Sequence, residues 1–232
     1  MNTNTVSFAP ARRGRRATSE RTRNRILEAA RRLFNERGTA SVSTNHIAAE
    51  AGISPGNLYY HFADKQEIIR ALHARYAAAH EHRWEPGRPA AENLAALRDN
   101  LAAGMALAWE YRFFEREILA LLRADPELRA AYQKVYERRL GEWLTFGEQL
   151  VTEGMLRSPR PPRTLRDLAV AIWLIATSWL PFLDVTGDAQ DPGQVAKGAD
   201  LVLAVLDPYL TDAARRQLGT PETGPGQIEG KS

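Results

Sequence analysis

Cysteine is absent from the 232 residues. A disulfide framework, a thiolate metal site and a thiol nucleophile are therefore excluded. β-Branched aliphatics are also scarce: Val and Ile total 18, against 62 for Ala and Leu. That ratio disfavours strands, because Ala and Leu lose little in a helix whereas β-branched side chains suit a pleat. No apolar run is long enough for a membrane span. The nearest, residues 168–183 (LAVAIWLIATSWLPFL), has 16 residues, includes Thr177, Ser178 and Pro181, and is bounded by Asp167 and Asp184. A span needs roughly 20 apolar residues, so the run reads as a deeply buried helix. Residues 1–11 carry neither a cationic n-region nor an apolar h-region, so no secretory signal is supported and a cytoplasmic protein without membrane contact is expected.

Catalytic signatures are missing too. There is no P-loop, dinucleotide fingerprint, nucleophile elbow or HExxH. No enzyme and no cofactor are expected. His73, His80 and His82 have no carboxylate placed to complete a shell, so no metal is expected either.

What is present is an ordinary globular composition, 44% apolar and 25% charged, with length enough for one compact domain or two small ones. The net charge of +3 hides an asymmetry: residues 12–37 hold ten Arg and three Glu, a local balance of +7, so the remainder sums to −4. A basic head on a mildly acidic body points to a polyanion met through the N-terminal end.

Residues 1–18 lack apolar periodicity and are expected to form a disordered basic arm. From Ser19 a helical pattern runs through Ile26, Leu27, Ala30, Leu33 and Phe34 to Gly38. Ser43 caps a short helix carrying Ile47, Ala48 and Ala51. Gly52-Ile53 makes a tight turn, and Ser54-Pro55 starts a third helix through Leu58 to His61. Asp64 opens a fourth, with Ile68, Ile69, Leu72 and Tyr76 on one side. After the break at Glu85-Pro-Gly-Arg-Pro89 the helices lengthen, at about 91–110, 113–124, 126–153, 164–183 and 193–206, with a short one at 211–218. The polar, Gly- and Pro-containing residues 219–232 form an expected disordered tail.

The second and third short helices, joined by Ala-Gly-Ile, make a helix-turn-helix with Ile47, Ile53, Leu58 and Phe62 as its small core. In this motif the start of the second helix enters the major groove. Gly56 lets a backbone approach, Asn57 suits a base edge, and Tyr59, Tyr60 and His61 lie between core positions and so face outward.

The stretch 23–72, RNRILEAARRLFNERGTASVSTNHIAAEAGISPGNLYYHFADKQEIIRAL, resembles the DNA-binding domain of the TetR family of bacterial transcriptional regulators. The resemblance implies an all-α fold: a three-helix helix-turn-helix reader followed by a larger helical domain for effector binding and dimerisation. The boundaries it suggests are 19–66 for the reader and 67–218 for the second domain. It places DNA contacts at Thr44 and Asn45 on the second helix and at Gly56, Asn57, Tyr59, Tyr60 and His61 on the recognition helix. Lys65 corresponds to a phosphate contact. Asn45 stands where many members carry a basic residue, which favours adenine or phosphate over guanine. The implied partners are double-stranded DNA with a palindromic operator, a second copy of the chain, and a small-molecule effector. An effector-independent, nucleoid-type DNA binder of the same fold is the alternative.

Beyond residue 90 the apolar walls for an effector are expected at Met105, Trp109, Trp143 and Trp173, with Arg112, Glu142 and Thr177 as polar neighbours. The run 168–183 and the stripe Val195, Ala199, Val202, Leu203, Leu206 are expected to form a dimer seam.

Overall fold

A computed structural model describes residues 10–81 and 89–218. The first nine residues of the basic arm, the break at 82–88 with His82, and the C-terminal tail lie outside the described residues, as do the side chains of residues 10–16. The described residues are helical without a strand; one isolated antiparallel bridge joins Leu156 and Leu210. They divide into two compact units at Arg75/Tyr76, nine residues beyond the expected boundary.

The first unit holds α1 (Pro10–Arg37), α2 (Thr44–Glu50), α3 (Pro55–His61) and the first part of α4 (Lys65–His80). Helix α1 starts at Pro10, so residues 10–18 are helical and Ser19 is not its cap. Proline is well suited to a first helical position, and the Ala and Arg that follow are good helix formers. Its inner face is the expected one, with Ile26, Leu27, Ala30, Leu33 and Phe34 all buried. Ser43 caps α2 by accepting from the His46 N–H, while His46 Nδ1 accepts from the Ser43 N–H, both at 3.2 Å. Gly52 has φ +64°, a conformation that favours glycine, and this lets the Ile53 N–H reach the Ala48 carbonyl at 3.0 Å. Ser54 then caps α3 through the Asn57 N–H, ahead of Pro55 at the first helical position. Ile47, Leu58 and Phe62 are essentially sealed from solvent; Ile53 is half-buried at the rim.

The second unit contains α5 (Ala90–Ala95), α6 (Leu97–Glu110), α7 (Arg112–Ala124), α8 (Pro126–Thr152), α9 (Leu165–Thr186), α10 (Pro192–Leu206) and α11 (Asp212–Gln217). The expected helix 91–110 is broken at Ala96, which has ψ −6°. Helices α8 and α10 begin on the cap-plus-proline pairs Asp125-Pro126 and Asp191-Pro192, and α9 on a capping box between Thr164 and Asp167. Helix α10 packs on α6 and α9, and α9 also meets α7 and α8.

Two expectations about α9 and α10 are corrected. By length and composition α9 is apolar enough to cross a membrane, but only 28% of its apolar window is buried, so it is not a deeply buried helix. Its inward residues, Leu168, Ala169, Ile172, Leu180 and Leu183, belong to the core, whereas Leu174, Phe182 and Val185 are exposed. The stripe expected to form a seam is likewise internal: Val195, Ala199 and Val202 are at most 5% exposed, and Leu203 and Leu206 pack against the same cluster. Gly198 explains the close approach of α10. A β-carbon there would lie 2.6 Å from both the Met105 Sδ and the Trp179 ring.

Candidate nucleic-acid interface

In the first unit the expected contact residues form one surface on α2 and α3. Asn45, Gly56, Asn57, Tyr59 and Tyr60 are exposed, and Tyr60 reaches 81%. Leu58 beneath them is fully buried, so the helix is anchored by its inner side and offers its outer side to a partner. Thr44 Oγ1 and the Tyr59 hydroxyl are hydrogen-bonded at 2.9 Å, which ties the two helices together at that surface. His61 is half-buried and meets the Tyr60 ring edge-on at 5.1 Å. A β-carbon at Gly56 would meet nothing within 4 Å, so packing does not demand glycine there; the open space is on the presented side.

Lys65 departs from the expected free point charge. Its Nζ donates to the Thr39 carbonyl at 2.7 Å and the Val42 carbonyl at 3.0 Å, so it clamps the loop before α2. Two arginines of α1, half-buried Arg23 and exposed Arg25, also donate to backbone carbonyls. Arg25 donates to the carbonyls of Ala51 and Gly52, and Arg23 donates to the His61 carbonyl at 3.0 Å. Arg31 pairs with Glu28, and its guanidinium holds that carboxyl below the usual range; Arg32 pairs with Glu50 at 2.8 Å. Four of the ten arginines in residues 12–37, namely Arg23, Arg25, Arg31 and Arg32, are therefore engaged within the unit. Composition counts charges and cannot show which carbonyls they serve.

In the second unit the four aromatic or thioether side chains expected to line one pocket are dispersed. Trp143 lines an apolar cavity of about 70 Å³. Met105 is buried against Gly198, the Arg112 guanidinium lies 3.6 Å over the Trp109 ring, and Trp173 meets the rings of Tyr132 and Tyr136 edge-on. The polar neighbours are engaged too: Glu142 pairs with Arg138, and Thr177 donates to the Trp173 carbonyl. The cavity is walled by leucines of α5, α6, α9 and α10 together with Trp143, Phe146 and Gly147 of α8. Of these leucines only Leu168 and Leu206 fall within the seam expected from the sequence.

A buried polar cluster lies apart from that cavity. The Tyr76 hydroxyl donates to Glu115 at 2.6 Å, and Arg139 donates to the Ala77 carbonyl at 3.1 Å. Burial pushes the Glu115 carboxyl up to about 7, against the opposing pull of the Tyr76 hydroxyl and the Arg139 charge.

The family described as bacterial regulatory proteins, tetR family, matches residues 26–72, and the family described as bacterial transcriptional repressor matches residues 70–218. The regulator UidR of Escherichia coli K12 is 49% identical over 51 residues, which cover 22% of this chain and 26% of UidR. TtgR of Pseudomonas putida is 39% identical over 64 residues, covering 28% of this chain and 30% of TtgR. The chain thus matches these relatives over only about a quarter to a third of their length. A solved TetR-family regulator from Marinobacter aquaeolei is 32% identical with a TM-score of 0.73, covering 85% of this chain and 95% of its own. The ketosteroid regulator KstR2 of Mycobacterium tuberculosis shares the fold at 20% identity and a TM-score of 0.62, over 82% and 95% of the two chains. A regulator from Saccharomonospora viridis, solved with choline, does so at 21% and 0.62, over 80% and 96%. The chain belongs to the TetR family of bacterial transcriptional regulators.

Proposed function

We propose that the chain is a homodimeric repressor that reads a palindromic operator in double-stranded DNA and releases it when a small apolar molecule occupies the second unit. The observation that carries the reading is the exposed row of Asn57, Tyr59 and Tyr60 on a helix capped at one end and anchored by Leu58. Asn57 suits an adenine edge, while the tyrosine hydroxyls and Thr44 suit phosphate oxygens. Arginines of the basic arm add sequence-tolerant affinity. Such a protein works in the cytoplasm, beside its DNA.

The exposed apolar residues Leu174, Phe182 and Val185 on α9 support a second copy as partner, since burying them removes a surface that costs free energy in water. The cavity supports an effector rather than an architectural role. Its size suits a compact, uncharged group, because no charged side chain is among its lining residues. One regulator of this fold is named for ketosteroids and another was solved with choline, so the fold alone does not select an effector. Release would be a population shift: an occupant preferring the conformation with separated readers moves them off the roughly 34–36 Å spacing of successive major grooves. Selection of duplexes from a random pool by the purified protein tests the reading. Enrichment of a two-fold symmetric sequence is expected, and no enrichment would overturn it.

A further inference from the structure

We propose that Arg23 is a positioning residue for sequence readout, holding the C-terminal end of the recognition helix against α1 rather than gripping a phosphate. Its Nη1 donates to the carbonyl of His61, the last residue of α3, at 3.0 Å. Its guanidinium carbon also lies 4.1 Å over the ring of Phe62, the residue that caps α3. A helix C-terminus leaves carbonyls without intrahelical partners and carries partial negative charge, so a planar cation is its natural complement. Arg25 does the same for α2, donating to the carbonyls of Ala51 and Gly52 at its end. Both helices of the pair therefore end on a guanidinium from α1.

Helix α3 has seven residues, so its aim depends on its ends. Ser54 fixes the first and Leu58 the middle. Phe62 is 1% exposed, so the guanidinium stacked on it cannot swing outward without uncovering a core ring. Asn57 and the tyrosines are carried on the segment so held. Base-edge contacts are directional and lose more from misalignment than phosphate contacts do. Removing Arg23 should then cost discrimination before it costs general DNA affinity.

This rests on the DNA-binding reading, and salt dependence separates the two. The parent, Arg23→Met and Arg23→Lys are titrated, from 50 to 200 mM salt, with a duplex enriched from a random pool by the parent and with a scrambled duplex of equal composition. Arg23→Met is expected to weaken the enriched duplex roughly tenfold, the scale of a lost charge-assisted hydrogen bond, with the scrambled duplex and the salt slope unchanged. Arg23→Lys should recover part of that loss, because its ammonium can donate to His61 but cannot stack on Phe62. Equal loss on both duplexes with a slope shallower by about 0.9 would identify a phosphate contact and overturn the proposal. Parental binding of the enriched duplex by Arg23→Met would overturn it as well. Should Arg23→Met fail to fold, Arg23→Lys decides: a phosphate contact retains parental binding to both duplexes, whereas the clamp loses affinity for the enriched one alone. Failure of the parent to enrich any sequence would remove the DNA-binding reading itself.

Discussion

Gly198 sets how closely α10 approaches α6 and α9. A β-carbon there would come within 2.6 Å of the Met105 sulfur, which can give way, and of the Trp179 ring, whose Nε1–H donates to the Gln194 carbonyl at 2.9 Å and holds it in place. Overpacking of this kind costs about 1–3 kcal/mol, against the ~1 kcal/mol that alanine gains over glycine in a helix. Gly198→Ala is therefore expected to lower the urea midpoint with m unchanged, and a raised midpoint would contradict the packing described. Glu115 gives a second residue-scale test. Its carboxyl titrates near 7 when folded, against roughly 4.3 in an unfolded chain. Between those values the folded state holds a proton that the unfolded state has lost. Its contribution is therefore complete below about pH 4.3 and is lost as pH rises through 7, by roughly 4 kcal/mol in all. Glu115→Gln has no such titration. Denaturant midpoints at pH 5 and pH 8 should diverge between parent and variant, and parallel curves would contradict the assignment.

At the scale of elements, Gly141 and Gly147 make a matched pair within α8. A β-carbon at Gly141 meets nothing within 4 Å, and one at Gly147 meets only the Leu165 methyls at 3.8 and 3.9 Å. Alanine at either position should stabilise by roughly 0.5–1 kcal/mol through helix propensity alone. Only Gly147 lines the cavity, so Gly147→Ala is expected to blunt effector-induced DNA release while Gly141→Ala leaves it intact. Equal responses in a release titration would separate the cavity from regulation. The starts of α3, α8 and α10 were legible because each rests on a local pair, a Ser or Asp cap with a proline just inside. The start of α1 was not, since Arg-rich sequence without apolar periodicity reads as disorder until a helix is seen to run through it. The break at Ala96 carries no glycine or proline to announce it. The direction of the α9 and α10 stripes was also beyond reach: apolar spacing identifies a buried face but not whether the chain or a second copy buries it. Tyr59 and Tyr60 were placed outward by their position between Leu58 and Phe62; His61, placed outward by the same reasoning, is half-buried. The hydrogen bonds of Arg23, Arg25 and Lys65 were not legible, because they depend on carbonyls from other elements.

For the whole molecule the proposal is that a second copy covers the exposed residues Leu174, Phe182 and Val185 of α9. Phe182→Asp and Leu174→Asp place an unpaired charge in the proposed interface, a change worth several kcal/mol when buried, and leave the core residues Ile172 and Leu180 untouched. Sedimentation at micromolar concentration should show a dimeric parent and monomeric variants with parental helicity. A monomeric parent would remove the proposed architecture. Recognition at two half-sites depends on that dimer, so the variants should also lose the symmetric operator while keeping weak, salt-sensitive binding to any duplex.

The outward side of α3 is proposed to read base sequence, and titration of Asn57→Ala against the enriched and scrambled duplexes is the sharpest probe of that role. One lost base contact is worth about 1–3 kcal/mol. The variant is expected to bind the enriched duplex at least about tenfold more weakly, with the scrambled duplex and the salt slope unchanged. Parental affinity and parental discrimination in Asn57→Ala would contradict it.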